Sequence, residues 1–210
     1  MTQKERIKLA QEFRDYKLPK RKTKGLFLIC SVGLVGVGKT TLMKKISQKI
    51  GAEYIRSDAI RLFVKKKGIV LGKKDIRKIM ILLGEMAFQN GTNVVMDADF
   101  ILESDRDLAK KFAKKYSAKF QCVRIVCDQK EHIRRILKRD SQGGDSFFDN
   151  SVDGIYDFFR RSGYHFLFTP HFDGQMILKK LSFHTAAVFD TTTRNVTKQV
   201  NAYCESLEPV

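Results

Sequence analysis

Gly33-Leu34-Val35-Gly36-Val37-Gly38-Lys39-Thr40 decides how this chain is read. The stretch meets the phosphate-binding pattern G-x-x-x-x-G-K-[ST] at every fixed position. Before it stands an apolar run, Leu26 to Val32, which reads as a short strand buried on both faces. After it, Leu42, Met43, Ile46 and Ile50 recur at helical spacing and Gly51 stops the helix. The motif therefore sits between a strand end and a helix N-terminus, where unpaired N–H groups and the helix dipole favour an anion. Gly33, Gly36 and Gly38 let the backbone turn tightly, and Val35, Val37 and Thr41 complete the expected cradle. Lys39 is expected to reach the β- and γ-phosphates of ATP, and the Thr40 hydroxyl to hold Mg²⁺.

The rest of the composition sets bounds. A chain of 210 residues, 43% hydrophobic and 30% charged, has the makings of one globular domain. No apolar run approaches the roughly 20 residues of a membrane span. Residues 1–24 are charged and polar, which predicts no secretory signal. Cys30, Cys122, Cys127 and Cys204 form no C-x-x-C pair, and the first three fall in apolar runs. They read as buried thiols of a cytoplasmic protein. A net charge of +17 favours polyanionic partners.

Taken in order, the chain predicts an N-terminal helix over 2–16 and a basic linker over 17–24, followed by one domain over 25–210. After the first strand and helix come a strand over 52–56, a helix capped by Ser57 or Asp58, and a basic loop over 65–72. A long helix over 73–90 and a strand over 93–96 follow. The remaining elements are an amphipathic helix over 103–116, a strand over 120–126 and a basic helix over 130–139. A loop over 140–145, a helix over 152–160, a strand over 186–190 and a closing helix complete the chain, while residues 163–186 give no clear pattern. Strands alternating with helices predict an α/β fold, a five-stranded parallel sheet with helices on both faces.

A second constellation follows from that fold. Ligands of open parallel sheets bind beyond the carboxyl ends of the strands. Asp58, 19 positions after Lys39, is at such an end, with Arg61 one helical turn later. A carboxylate there can take the proton of an attacking hydroxyl, and the arginine can bind a phosphate on the acceptor. A capping aspartate with an i,i+3 ion pair is the plainer alternative. Asp97 ends the third strand beside the same crevice, to hold metal or acceptor; Asp99 is expected to face away. The segment Val94–Leu102 also resembles the first motif of haloacid-dehalogenase-type phosphatases, but Phe100 and Ile101 replace its glycine and threonine. Arg134, Arg135 and Arg139 lead into Gly143-Gly144, which suits a helical lid over about 134–162. Arg135 and Arg139 are expected on ATP, with Arg139 stacking on adenine or touching the transferred phosphate, and Arg194 is placed beside the adenine. The four histidines show no metal-ligand spacing and read as structural or surface residues. The aromatics Phe147, Phe148, Phe158, Phe159 and Phe166 read as packing.

Together, Gly33 to Thr41, Arg56 to Arg61, Lys66 to Gly72, Asn93 to Asp97, Arg106 and Ile133 to Arg139 resemble the P-loop kinases of the polynucleotide 5′-kinase and zeta-toxin-like group. These are AAA-type, ATP-binding, kinase-like domains. The resemblance implies a P-loop NTPase fold, ATP and Mg²⁺, and transfer of the γ-phosphate to an acceptor hydroxyl. It implies Asp58 as general base and Arg61 as the ligand of the acceptor's 3′-phosphate. Where that family carries a basic lid residue, this chain has Ser141 to Gly144. The lid arginine is then Arg135 or Arg139, or comes from Arg160 or Arg161. The favoured acceptor is a polynucleotide 5′-hydroxyl. A sugar, antibiotic or nucleotide-sugar hydroxyl is the alternative, and a nucleotide-binding switch without acceptor chemistry is the reading from another class.

Overall fold

The apolar runs become the strands of one sheet in the computed structural model, which describes residues 1–14, 18–138, 151–168 and 176–207. Its strands are Phe27–Val32 (β1), Ala52–Arg56 (β2), Asn93–Asp97 (β3) and Lys119–Val126 (β4). A short hairpin, Phe166–Phe168 (β5) with Met176–Leu178 (β6), precedes Ala187–Asp190 (β7). The helices are Gln3–Phe13 (α1), Lys39–Ile50 (α2), Ser57–Lys66 (α3), Lys73–Gln89 (α4), Glu103–Lys115 (α5), Gln129–Lys138 (α6), Ser151–His165 (α7) and Val196–Glu205 (α8). The main sheet has the order β2-β3-β1-β4-β7, parallel throughout, so β1 is central and all its residues are buried.

Alternation along β1 divides the core. Leu28, Cys30 and Val32 point into a cluster with Ile60 of α3, Ile79 and Leu83 of α4 and Ala109 of α5. Phe27 and Ile29 point into the opposite cluster with Met43 and Ile46 of α2, Ile136 of α6, Phe158 of α7 and Val200 of α8. Each strand residue thus finds an apolar partner whichever way it faces, which is why these runs carry no polar alternation. The N-terminal helix joins the first cluster: Leu9 and Ala10 are buried there, and Arg6 pairs with Asp75 at 2.9 Å. All four cysteines are buried and free. Among the described residues no helix is long and apolar enough to cross a membrane.

Three local expectations need correction. The N-cap of α3 is Arg56, and Ser57 and Asp58 are already helical with no side-chain cap bond. Helix α7 does not end near Arg160 but runs to His165, which carries Arg161, Tyr164 and His165 to the site. The span 163–186, opaque in the sequence, holds the end of α7 and the antiparallel β5–β6 pair. Gly143, Gly144, Phe147, Phe148 and His171 lie outside the described residues, as do Arg139 and much of the expected lid.

Candidate active site

The phosphate loop leaves β1 at Gly33 and enters α2 at Lys39, with Gly38 as N-cap. Glycine is required here for two reasons. A Cβ on Gly33 would stand 2.6 Å from the Ile125 carbonyl oxygen. Gly36 has φ +86°, and a Cβ there would also press on Ile136 and His132 of α6.

Three loop carbonyls are each held by a side chain. Lys39 Nζ donates to the Leu34 carbonyl at 2.5 Å, and His132 Nε2 donates to the Val35 carbonyl. Thr191 Oγ1 donates to the Val37 carbonyl at 2.7 Å. Thr191 is fixed in turn by Arg135, whose guanidinium reaches its hydroxyl at 2.8 Å and its carbonyl at 2.9 Å. At the loop's start, the Gly33 N–H donates to Asp99 Oδ1 at 3.2 Å.

Two cavities flank the loop. One of about 410 Å³ lies between Gly36 and Gly38, Thr41 of α2, Arg135 and Lys138 of α6, Thr191, and Val196 and Val200 of α8. Its apolar wall on α8 and its cationic wall on α6 suit a nucleoside joined to phosphates. The other, about 390 Å³, brings Lys39 and Thr40 together with Asp58, Arg61, Asp97 and Asp99, and is closed by Arg160, Arg161 and Tyr164 of α7. Asp58 and Arg61 therefore stand in the same space as the loop lysine, joined by an ion pair at 3.1 Å.

Asp97 Oδ2 accepts from Thr40 Oγ1 at 2.9 Å and from the Tyr54 hydroxyl at 2.8 Å. Burial and the neighbouring carboxylate push the Tyr54 hydroxyl well above its usual range, so it stays a donor. A hydroxyl and a carboxylate this close form a hard-oxygen donor pair. That fits Mg²⁺, which takes one or two protein oxygens and fills its shell with water and phosphate. No larger cluster of ligating side chains occurs among the described residues.

Asp99 corrects the expectation that it faces away. Its side chain is 2% exposed, and Oδ2 accepts from Arg161 and, at 3.1 Å, from His165 Nε2. Burial alone raises its pKa. The hydrogen bond and charge of His165, with the charges of Arg161 and Lys39, outweigh that and hold the carboxyl at about 2. The signal in the sequence is the nearness of Asp99 to Asp97, the strand-end carboxylate that already faces the crevice. Lys39 is lowered by desolvation of its ammonium, opposed by Asp99, Asp97 and Asp58. His132 and His165 are likewise part of the site's surroundings rather than bystanders. Burial lowers the His132 pKa to about 4, against the opposing pull of its bond to the Val35 carbonyl, so the ring is neutral.

Among the other expected residues, Thr41 and Arg135 line the nucleotide-side cavity. Arg194 is exposed in the turn before α8 and lines neither cavity; Thr191 and Val196 hold that ground. Phe158 and Phe166 are buried as packing, whereas Phe159 is exposed.

Known proteins share this fold to different extents. A sequence profile described as an AAA domain matches residues 28–153. No curated protein matches the chain. Among solved structures, Kti12 from Chaetomium thermophilum, in complex with ADP-AlF3, superposes with a TM-score of 0.57 at 14% identity, over 85% of this chain and 96% of that one. The APS kinase of Mycobacterium tuberculosis, in complex with AMPPNP and APS, gives 0.54 at 17% identity, over 86% and 96%. A gluconokinase from Sinorhizobium meliloti gives 0.51 at 17% identity, over 89% and 95%. These likenesses establish the fold, and the profile match over more than half of the length establishes the lineage: the chain belongs to the AAA domain family and carries a P-loop kinase-like domain.

Proposed function

We propose that this protein transfers the γ-phosphate of ATP to an acceptor hydroxyl, and that the preferred acceptor is a polynucleotide 5′ end. The observation that carries the reading is the shared cavity in which Lys39, Thr40 and Asp97 meet Asp58 and Arg61. A nucleotide switch would need the first three and has no use for the last two.

The chemistry follows from what those residues can do. The loop N–H groups and Lys39 bind the phosphates. Thr40 and Asp97 would hold Mg²⁺, which would supply charge neutralisation to the phosphates. Arg61 binds a phosphate of the acceptor and so brings its hydroxyl into line. Asp58 Oδ1 already takes the Arg61 and Ser57 contacts, so its second oxygen is the proton acceptor. The acceptor oxygen forms a bond to the γ-phosphorus, the bond from that phosphorus to the β-bridging oxygen breaks, and the acceptor proton passes to Asp58.

A polynucleotide is favoured by the charge of the cavity. Lys39, Arg61, Lys73, Arg77, Arg160 and Arg161 outnumber Asp58, Asp97 and Asp99 among its lining residues. Tyr164 lies at its edge, and Tyr156 and Phe159 are exposed on the same helix, offering faces on which bases can stack. The cavity's size also suits a small hydroxylated metabolite, which is the second reading.

Radiolabelled ATP offered to a 5′-hydroxyl oligonucleotide and, in parallel, to a metabolite panel tests both. Label in the oligonucleotide, with a rate that falls steeply as salt rises, is the expected result. Asp58→Asn should lower turnover by ~10²–10⁴-fold. Transfer to a sugar alone would replace the polynucleotide reading, and no transfer to any hydroxyl would refute the kinase.

A further inference from the structure

Residue 132 occupies a core position of α6. Ile136, one turn later on the same face, is 2% exposed, and His132 is 0% exposed. Its ring stands edge-on to Phe158 of α7, with centroids 4.8 Å apart. Its Nε2 donates to the Val35 carbonyl, so its Nδ1 carries no proton and has only acceptor capacity. That Nδ1 is buried without a partner. A leucine would fill the same space with no orphaned nitrogen, and an unpaired buried nitrogen is destabilising. What the histidine adds that leucine cannot is the bond to the phosphate loop.

The bond matters because of peptide geometry. In a trans peptide the C=O and the next N–H point to opposite sides, and the chain has no cis bonds among its described residues. Drawing the Val35 carbonyl outward to α6 turns the Gly36 N–H inward, toward the space an anion would fill. Thr191 does the same two peptides further on, drawing the Val37 carbonyl out and turning the Gly38 N–H in. Thr191 is itself gripped by Arg135, which sits three residues after His132 and is braced by Glu131 at 2.7 Å. The first pull thus comes from α6 directly; the second comes from Thr191, which the sheet holds through its N–H bond to the Val126 carbonyl at 3.0 Å and which α6 braces through Arg135.

We propose that His132 is a positioning residue for the phosphate-binding N–H groups: α6 keeps the loop in its anion-binding form, through His132 directly and through Arg135 by way of Thr191. The motif G-x-x-x-x-G-K-T contains neither residue, so this control lies outside the loop it acts on. The inference rests on the nucleotide-binding part of the reading above.

The test separates positioning from packing. Wild type, His132→Leu and His132→Gln are compared for binding of AMPPNP with Mg²⁺, binding of adenosine, and the thermal midpoint of the nucleotide-free protein. His132→Leu should weaken AMPPNP by about tenfold or more, since hydrogen bonds to a charged ligand are lost. Its adenosine affinity should be unchanged and its midpoint equal or higher. His132→Gln, whose amide can donate where Nε2 did, should recover most of the AMPPNP affinity. A leucine variant with wild-type AMPPNP affinity overturns the proposal. So does one that loses AMPPNP, adenosine and thermal stability together without rescue by glutamine, because that is the behaviour of a packing residue. Wild-type protein that binds AMPPNP no better than adenosine overturns the nucleotide reading itself, and the positioning role with it.

Discussion

Replacing Asp99 by asparagine removes one charge from the interior and almost no volume. The carboxylate it removes accepts from the Gly33 N–H, from Arg161 and from His165, all while 2% exposed. Its pKa is held at about 2, against an ordinary value of 3.8. A tenfold change in proton affinity corresponds to about 1.4 kcal/mol, so the ionised carboxylate contributes about 2.5 kcal/mol to stability at neutral pH. The pKa is depressed in the folded state, so this contribution is present above pH 3.8 and is lost as pH falls toward 2. About 1 kcal/mol should be gone by about pH 3. Asparagine keeps an acceptor for Gly33 but leaves Arg161 and His165 facing a neutral group. The chain has no tryptophan, so urea unfolding is best followed by circular dichroism. At about pH 7 the variant should be less stable than wild type by about 2–3 kcal/mol, and the gap should narrow to roughly half by about pH 3. His132, lowered to about 4, loses its own share between pH 6.5 and 4 in both proteins and so cancels in the difference. A gap that stays constant from neutral to acid pH would show that shape, and not the ionised carboxylate, is what Asp99 supplies.

Two further substitutions probe the loop and the metal pair. Lys39→Ala should leave the dichroism spectrum unchanged, because Lys39 faces the cavity and not the core, and should weaken Mg·ATP binding ~10–100-fold by loss of a charge-assisted bond; titration calorimetry reads the change, and an unaltered affinity would count against Lys39 as a phosphate ligand. Tyr54→Phe removes one of the two hydrogen bonds on Asp97 Oδ2. It should cost about 1 kcal/mol of stability and raise the Mg²⁺ concentration needed for half-maximal transfer, measured from initial rates; an unchanged Mg²⁺ requirement would mean that Thr40 alone orients Asp97.

The sequence makes the local parts of this site readable and hides the distant ones. Strand β1, the loop and α2 are contiguous, and each is signalled by its own residues: an apolar run, three glycines, then apolar positions at helical spacing. Asp58 and Arg61 can be placed because ligands of a parallel sheet gather at one set of strand ends. The order β2-β3-β1-β4-β7 is written in no single segment, since a parallel strand carries no label for its neighbours. Asp99 lies just beyond the end of β3, where the chain bends at Ala98, and no periodicity says which way such a residue faces; in the fold it reaches the Gly33 N–H, Arg161 and His165. His132 and Thr191 are hidden for a different reason. Their partners are backbone carbonyls 97 and 154 positions away, and a carbonyl leaves no trace in residue identity. A polar residue at the core position of an amphipathic helix is the one sign that His132 gives.

The same hydrogen bonds bear on how a nucleotide must bind. Several side chains assigned to phosphate or metal have a protein partner: Lys39 holds Leu34, Thr40 holds Asp97, Arg61 holds Asp58 and Arg161 holds Asp99. A phosphate or metal that recruits them exchanges one bond for another, and the net gain per side chain is reduced by the bond given up. The loop N–H groups are in a different position. At Gly36 and Gly38 the carbonyl on the far side of the peptide is held by His132 and Thr191, so a phosphate can accept from these N–H groups without breaking those contacts. Affinity for the nucleotide should therefore reside mainly in the backbone, with its α6 supports. The side chains, released only when a ligand displaces their partners, are better suited to discriminating between acceptors and to the step of transfer itself.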